Sequence, residues 1–284
     1  MYADHHMHMV LDGENWKTAI ARHAQGVDRA WVRQTLSRYQ AANVTYLRDG
    51  GDRWGVGLYA ASIAEEYGIR YRTPAFPIHK NDHYGGFIGR GFDTPQAFCA
   101  LVREAKAAGA HFIKIMISGL MDFERFGVLT DTPLEKDEIA GMAAAAHDAG
   151  LAVMAHANGD AAVSAAIAAG VDSIEHGAYL SEETLCQLAE SQSVWVPTLV
   201  TIGNLIGDGR FPDDVLRPLL ALQMQNVRKA AQLGAYIAAG SDAGAYRVYH
   251  AQGALDELAL LRRALGDGAE QVLLRGDAAL RQRF

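Results

Sequence analysis

Short apolar runs with strand character recur eight times along this chain, at "ADHHMHM", "NVTYLRD", "IRYRTPAF", "HFIKIMIS", "LAVMAHA", "VDSIEHG", "VWVPTL" and "AYIAAGSD". Between them lie amphipathic stretches such as "DTPQAFCALVREAKAAG", "EKDEIAGMAAAAHDAG" and "SEETLCQLAES", several of which open on Asp or Ser and close on Gly as capped helices do. Strand and helix alternating in this way form a parallel sheet whose strands are joined by crossover helices. Eight such units with no linker or break in composition predict an α/β fold of the (β/α)8 TIM-barrel class, in one domain spanning residues 1–284. A doubly wound open sheet is the competing architecture, but no G-x-G-x-x-G follows the first run. At 284 residues and 50% hydrophobic content the chain can bury a barrel-sized core.

Polar side chains sit in this pattern where a barrel core would not place them. In "DHHMHM" the alternation puts His6 and His8 on one face of the first strand, where two imidazoles can converge on one metal ion. A purification tag would be a continuous histidine run, which this is not. Lys114, His156, His176 and Asp242 fall at or near the C-terminal ends of the fourth, fifth, sixth and eighth strands. Barrel enzymes build their active sites on that face. Inward barrel positions favour Val, Ile or Leu, and a buried lysine is costly unless paired or neutralised. Lys114 alone could snorkel to solvent and Asp242 alone could cap a turn; the histidines beside them favour a shared site. His111 has the opposite parity to Lys114, so it points toward the helices in a structural role, and His147, where a helix ends, is a partner for the helix dipole.

Composition narrows the function classes. A net charge of −7 and a pI near 5.9, with no basic block, exclude a nucleic-acid surface. Basic residues cluster only in "LLRRAL" and "LRQRF", which read as solvated helix faces. Cys99 and Cys186 have no metal or redox spacing and read as small buried hydrophobes in a reducing compartment. No apolar run approaches a membrane span and no charged-then-apolar leader precedes Asp4. The expectation is a cytoplasmic protein acting on a small-molecule substrate, without nucleic-acid or membrane partners, in which self-association as a homo-oligomer is left open.

Five elements, "DHHMH", "FIKIMISG", "AHANG", "IEHG" and "GSDAG", run in order from residue 4 to residue 244. Together they resemble the amidohydrolase superfamily, and the wording of "FIKIMISG" and "DSIEHG" is most similar to its imidazolonepropionase-like and zinc-prolidase-like branch. The resemblance implies a binuclear centre with two divalent ions, zinc being the expected metal. Lys114 would carry a carbon dioxide-derived carbamate that bridges them. His6, His8 and Asp242 would complete one shell, and His156 and His176 the other. Chemistry supports the scheme: two ions about 3.5–4 Å apart clamp a water and lower its pKa, and a neutral lysine amine can take up carbon dioxide to present two bridging oxygens. Asp242 would be the catalytic acid-base, taking the proton of the metal-bridging hydroxide and delivering it to the leaving group. Many relatives carry a small β-sandwich built from segments flanking the barrel; here the metal motif begins almost at Met1, so the sandwich is expected to be absent.

The activity implied is hydrolysis of an amide-type C–N bond, in a cyclic amide or imidazolone-like ring or in a dipeptide. A mononuclear deaminase is the first alternative, but such enzymes lack the strand-four lysine and place a glutamate near the strand-five histidine, where "AHANGDA" has none. Lactone or phosphotriester hydrolysis on the same fold is a second, and a non-catalytic metal-binding scaffold a third. For substrate contacts the loops after the third and eighth strands offer His83, Arg247, Tyr249 and His250, with His79 and Tyr246 nearby. Arg247 suits a substrate carboxylate. The glycine-rich "PIHKNDHYGGFIGRG" reads as a mobile flap.

Overall fold

The computed structural model describes residues 2–284. Ten strands are present among them: β1 (Tyr2–Met7), β2 (Val44–Asp49), β3 (Arg70–Arg72), β4 (Pro77–Lys80), β5 (Arg90–Phe92), β6 (Ile113–Met116), β7 (Val153–Ala157), β8 (Ser173–His176), β9 (Val194–Val196) and β10 (Tyr236–Ile237). All pairings between them are parallel, in the orders β1-β2-β3 and β10-β9-β8-β7-β6-β4-β5. Two junctions turn these sheets into a ring. The run expected as one strand, "IRYRTPAF", is broken: Pro74 and Pro77 supply no N–H, Ala75 takes a φ of 63°, and the chain bends so that β3 pairs with β2 while β4 pairs with β6. On the other side, the segment after β10 joins β1 through His5 N–H to Ala239 O, Asp242 N–H to His6 O and His8 N–H to Ala243 O. Eight barrel positions result, with β3 and β4 sharing the third and β5 added outside β4. No sheet outside this arrangement occurs among the described residues.

Helices between the strands form as their caps and periodicity require. The helix Pro95–Ala107 starts at Thr94, whose hydroxyl accepts from Ala97 N–H, and Pro95 fills its first position. Phe98, Val102 and Ala105, four and three residues apart, are buried against the barrel, and each large side chain so enclosed contributes about 1.5–3 kcal/mol. Ser181 caps Glu182–Glu190 in the same way. Cys99 and Cys186 are only half-buried on these two helices, more open than expected, and both are free thiols.

The barrel interior is apolar toward the N-terminal ends of the strands, where Phe112, Met154, Val194, Val196 and Ala238 pack with Leu280 and Phe284. The final helix, Ala269–Arg283, lies across that end of the ring. Its Arg275 donates to Gly234 and Ala235 at the approach to β10, and Arg283 donates to Asp172 and Gln192 at the approaches to β8 and β9. Contact is closest at Gly276, where a Cβ would lie 2.0 Å from Ile237 O. With that end plugged, the polar side chains of the interior gather toward the C-terminal ends of the strands. No helix among the described residues is long and apolar enough to cross a membrane.

Candidate metal centre

Six side chains, on four strands or on the segments just after β1 and β10, converge above this plug. His6 Nε2 lies 3.3 Å from His8 Nε2, 3.5 Å from Asp242 Oδ1 and 3.5 Å from Lys114 Nζ, and His8 Nε2 is 3.2 Å from the same Asp242 oxygen. The His6 and His176 ring centroids are 5.0 Å apart, and those of His176 and His156 are 4.6 Å apart. Lys114 and His6 are each 1% exposed, while the Asp242 side chain is 16% exposed and faces the mouth. The backbone bends to make this possible. His176 and Asp242 adopt φ of 70° and 59°, a left-handed conformation that costs non-glycine residues about 1–3 kcal/mol and gathers at functional sites. Beneath His8 the chain passes so closely that a Cβ on Gly50 would lie 2.1 Å from the imidazole Cε1, so only glycine fits.

The electrostatics favour metal-ligating protonation states. Burial, reinforced by the Lys114 charge, holds His6 and His156 well below the usual imidazole range, and burial together with His6 does the same for His176; these rings are neutral at pH 7 with a lone pair to offer. Burial also pulls the Lys114 amine down to about 8, partly opposed by Glu175 and Asp242. For Asp242, burial acts upward but is outweighed by His6, His8 and Lys114, which hold the carboxylate below its ordinary value and therefore ionised.

Three of the four rings are contacted from behind, whereas His8 Nδ1 has no partner among the described residues. His176 Nδ1 lies 2.8 Å from Thr198 Oγ1, leaving Nε2 for the centre. His156 is the reverse: its Nε2 donates to Gly119 O at 3.0 Å, so Nδ1 is the free nitrogen. His6 Nδ1 lies 2.8 Å from Glu175 Oε2, in contact but not in line for an ideal hydrogen bond. Glu175 in turn pairs with Arg48 at 2.8 Å, and both are fully buried. Arg48 also donates to His5 O at 2.7 Å and Ser173 Oγ at 2.8 Å, and its guanidinium stacks over the Phe284 ring of the plug. Glu175, Arg48 and Thr198 were not singled out by the sequence. A signal existed for Arg48, a charge inside an apolar strand, but none for Thr198.

His6, His8 and Asp242 present one donor atom each within 4.8 Å of one another; Lys114 Nζ touches His6 of that set, and the neutral His176 ring, paired with His156, lies beside His6 as well. This donor set of imidazoles, a carboxylate and an amine able to become a carbamate fits divalent metal ions.

The expected substrate residues are placed differently. His83, half-exposed, pairs with Asp131 at 3.1 Å. Tyr249 is exposed and accepts from Arg247. Arg247 is already paired with Asp208, which fills the role foreseen for a substrate carboxylate. His250 is 4% exposed, with Nε2 bonded to Leu11 O at 2.8 Å and Nδ1 3.2 Å from Tyr39 Oη; both nitrogens are used inside the protein. His111 and His147 lie away from the centre, against Thr73 and Asp172.

The sequence model of the amidohydrolase family matches residues 43–279. The chain belongs to the amidohydrolase family. Its fold is that of solved structures including a Xaa-Pro dipeptidase with methionine bound in its active site (TM-score 0.79, 23% identity, 99% of this chain and 75% of that one). Another is the ochratoxinase of A. niger (TM-score 0.81, 19% identity, 98% and 71%). Among curated sequences, proteins of Mycobacterium tuberculosis and Mycobacterium bovis described as uncharacterized are 35% identical over 148 residues. That match covers 50% of this chain and 39% of theirs, so the shared segment spans well under half the length of those relatives.

Proposed function

We propose that this amidohydrolase is a binuclear metal-dependent hydrolase cleaving an amide-type C–N bond, in a cyclic amide or in a dipeptide. The observation that supports this reading best is the position of Lys114, a buried amine with no carboxylate within ion-pair distance among the described residues, 3.5 Å from His6 Nε2 and near enough for its charge to lower the pKa of His156 and His176. His6, His8 and Asp242 would hold one ion, His156 through Nδ1 and His176 through Nε2 the other, and Lys114, as a carbamate, would link them. Such ions, zinc by preference for this donor set, supply an activated water and polarise the scissile carbonyl. Asp242 is ionised, partly open to the mouth and in contact with His8, so it is placed to accept a proton and return it to the leaving nitrogen. Glu175 and Thr198 fix the ring orientations of His6 and His176. The likeness in fold to a dipeptidase supports an amide substrate over a phosphotriester.

The test is metal content measured on protein reconstituted with zinc and bicarbonate, together with turnover of a panel of dipeptides, N-acyl amino acids and lactams. Two ions per chain and hydrolysis of at least one amide are expected. One ion per chain with ammonia release would replace this reading with the mononuclear deaminase, for which His6, His8 and Asp242 alone would suffice.

A further inference from the structure

The glycine-rich stretch after β4, expected as a mobile flap, is fastened at both ends of its tip. Asp131 accepts from Tyr84 N–H at 3.2 Å and pairs with His83, and Arg53 donates to Gly86 O at 3.2 Å. The fastening carries a row of aromatic rings. Tyr84 lies on the candidate ligand His156 with centroids 4.8 Å apart, Phe87 follows at 5.8 Å from Tyr84, and Trp16 at 5.6 Å from Phe87. Trp16 is 46% exposed, so the row runs from the metal centre to the surface. Tyr84 and Phe87 are half-buried, neither sealed in the core nor free in solvent.

We propose that Tyr84, Phe87 and Trp16 form the specificity wall of the site and select amide substrates that carry a flat apolar side chain, above all an aromatic one, beside the scissile bond. This rests on the hydrolase reading above for the identity of the bond, but the wall itself follows from the rings. Aromatic pairs favour centroid separations of 4.5–7 Å, the spacing this row keeps, so a substrate ring would meet the partly exposed rings at a distance they already favour. Fixing the loop in advance removes the ordering cost of closing a flap on the ligand. The Tyr84 hydroxyl, without a hydrogen-bond partner among the described residues, can meet a polar atom at the edge of the ligand.

The experiment has a binding arm and a turnover arm. In the first, N-acetyl-L-phenylalanine amide and N-acetyl-L-alanine amide are titrated into zinc-loaded protein by calorimetry. The wild type is expected to bind the phenylalanine compound at least about tenfold more tightly, and Tyr84→Ala and Phe87→Leu to lose most of that ratio while retaining the wild-type metal content. In the second, kcat/KM for dipeptides differing only in Phe or Ala beside the same bond should follow the same order, and Tyr84→Phe should keep the aromatic preference because the ring remains. Equal binding of the two amides by the wild type, or an unchanged ratio in both Tyr84→Ala and Phe87→Leu, overturns the wall. Aromatic-selective binding without hydrolysis of any amide leaves the wall standing and overturns the hydrolase reading instead. Phe87→Leu, a mild change outside the metal centre, keeps the test valid should Tyr84→Ala fail to fold.

Discussion

Glu175→Gln separates two jobs that the buried carboxylate performs at once. One oxygen faces His6 Nδ1 and the other pairs with Arg48, with no part of either charged group exposed. The amide keeps the shape but removes the charge. Losing one partner of a buried ion pair costs about 3–5 kcal/mol. Arg48 still has His5 O and Ser173 Oγ to donate to, so the cost here should be near the lower value, about 3 kcal/mol. The second effect is on metal: a carboxylate behind a ligating imidazole is worth about 10–100-fold in affinity, or roughly 1.4–2.7 kcal/mol. Urea unfolding of metal-free protein reads the first, and competition against a chromogenic chelator reads the second. The double variant Arg48→Met with Glu175→Gln should regain much of the stability, since no unpaired charge is left buried, while its zinc affinity stays low. A Glu175→Gln protein that is destabilised yet binds zinc like the wild type would refute the role assigned to the His6 contact and leave Glu175 serving Arg48 alone.

Why Glu175 escaped the sequence while His176 did not lies in strand parity. Adjacent residues of a regular strand face opposite sides, so strand alternation alone cannot bring both Glu175 and His176 to the interior. The left-handed φ of His176 turns the end of β8 and lets both point inward. The six convergent side chains were legible because polar groups at the ends of apolar runs stand out, and because the C-terminal ends of barrel strands share one face. The break between β3 and β4 is marked in the sequence by Pro74 but is read through, because the apolar run continues past it; the pairing partners show two strands. Loop residues were the least legible. His250 and Arg247 sit in the right stretch of chain, but one is turned into the protein beside Tyr39 and the other is held by Asp208. Tyr84 lies among glycines that carry no periodicity, and its place over His156 depends on Asp131, 47 residues away.

Lys114→Ala should lose both zinc and turnover, with short carboxylic acids in solution partly restoring both by supplying the missing oxygens; Lys114→Arg, whose guanidinium stays charged, should not be active. A Lys114→Arg protein with two ions and normal turnover would remove the carbamate from the scheme. Asp242→Asn is expected to retain at least one ion yet lose activity by 100-fold or more, within the range of about 10²–10⁴ typical of a general acid-base, because an amide cannot accept the proton; elemental analysis and steady-state kinetics on the same sample decide it. The last prediction concerns Glu257, fully buried on the helix Gln252–Leu265, with one oxygen accepting from Val200 N–H at 2.7 Å and the other without a partner. Burial pushes its carboxyl from the ordinary 4.5 up to about 8. An acid whose pKa is raised by folding is protonated in both states below the unfolded value, so its contribution is fully present there and is lost as pH rises through the folded value. The shift of 8 − 4.5 = 3.5 units, at about 1.36 kcal/mol per unit, sets an upper bound of about 5 kcal/mol lost between pH 4.5 and 8. Asp4 and Asp52, raised to about 6, add slopes of the same sign over the lower part of that window. Comparing urea unfolding of the metal-free wild type with Glu257→Gln at pH 5, 6.5 and 8 cancels their share: the variant should lose stability less steeply and be the more stable of the two at pH 8. Parallel curves across the window would show that Glu257 is already ionised in the folded protein, its charge stabilised by the Val200 N–H.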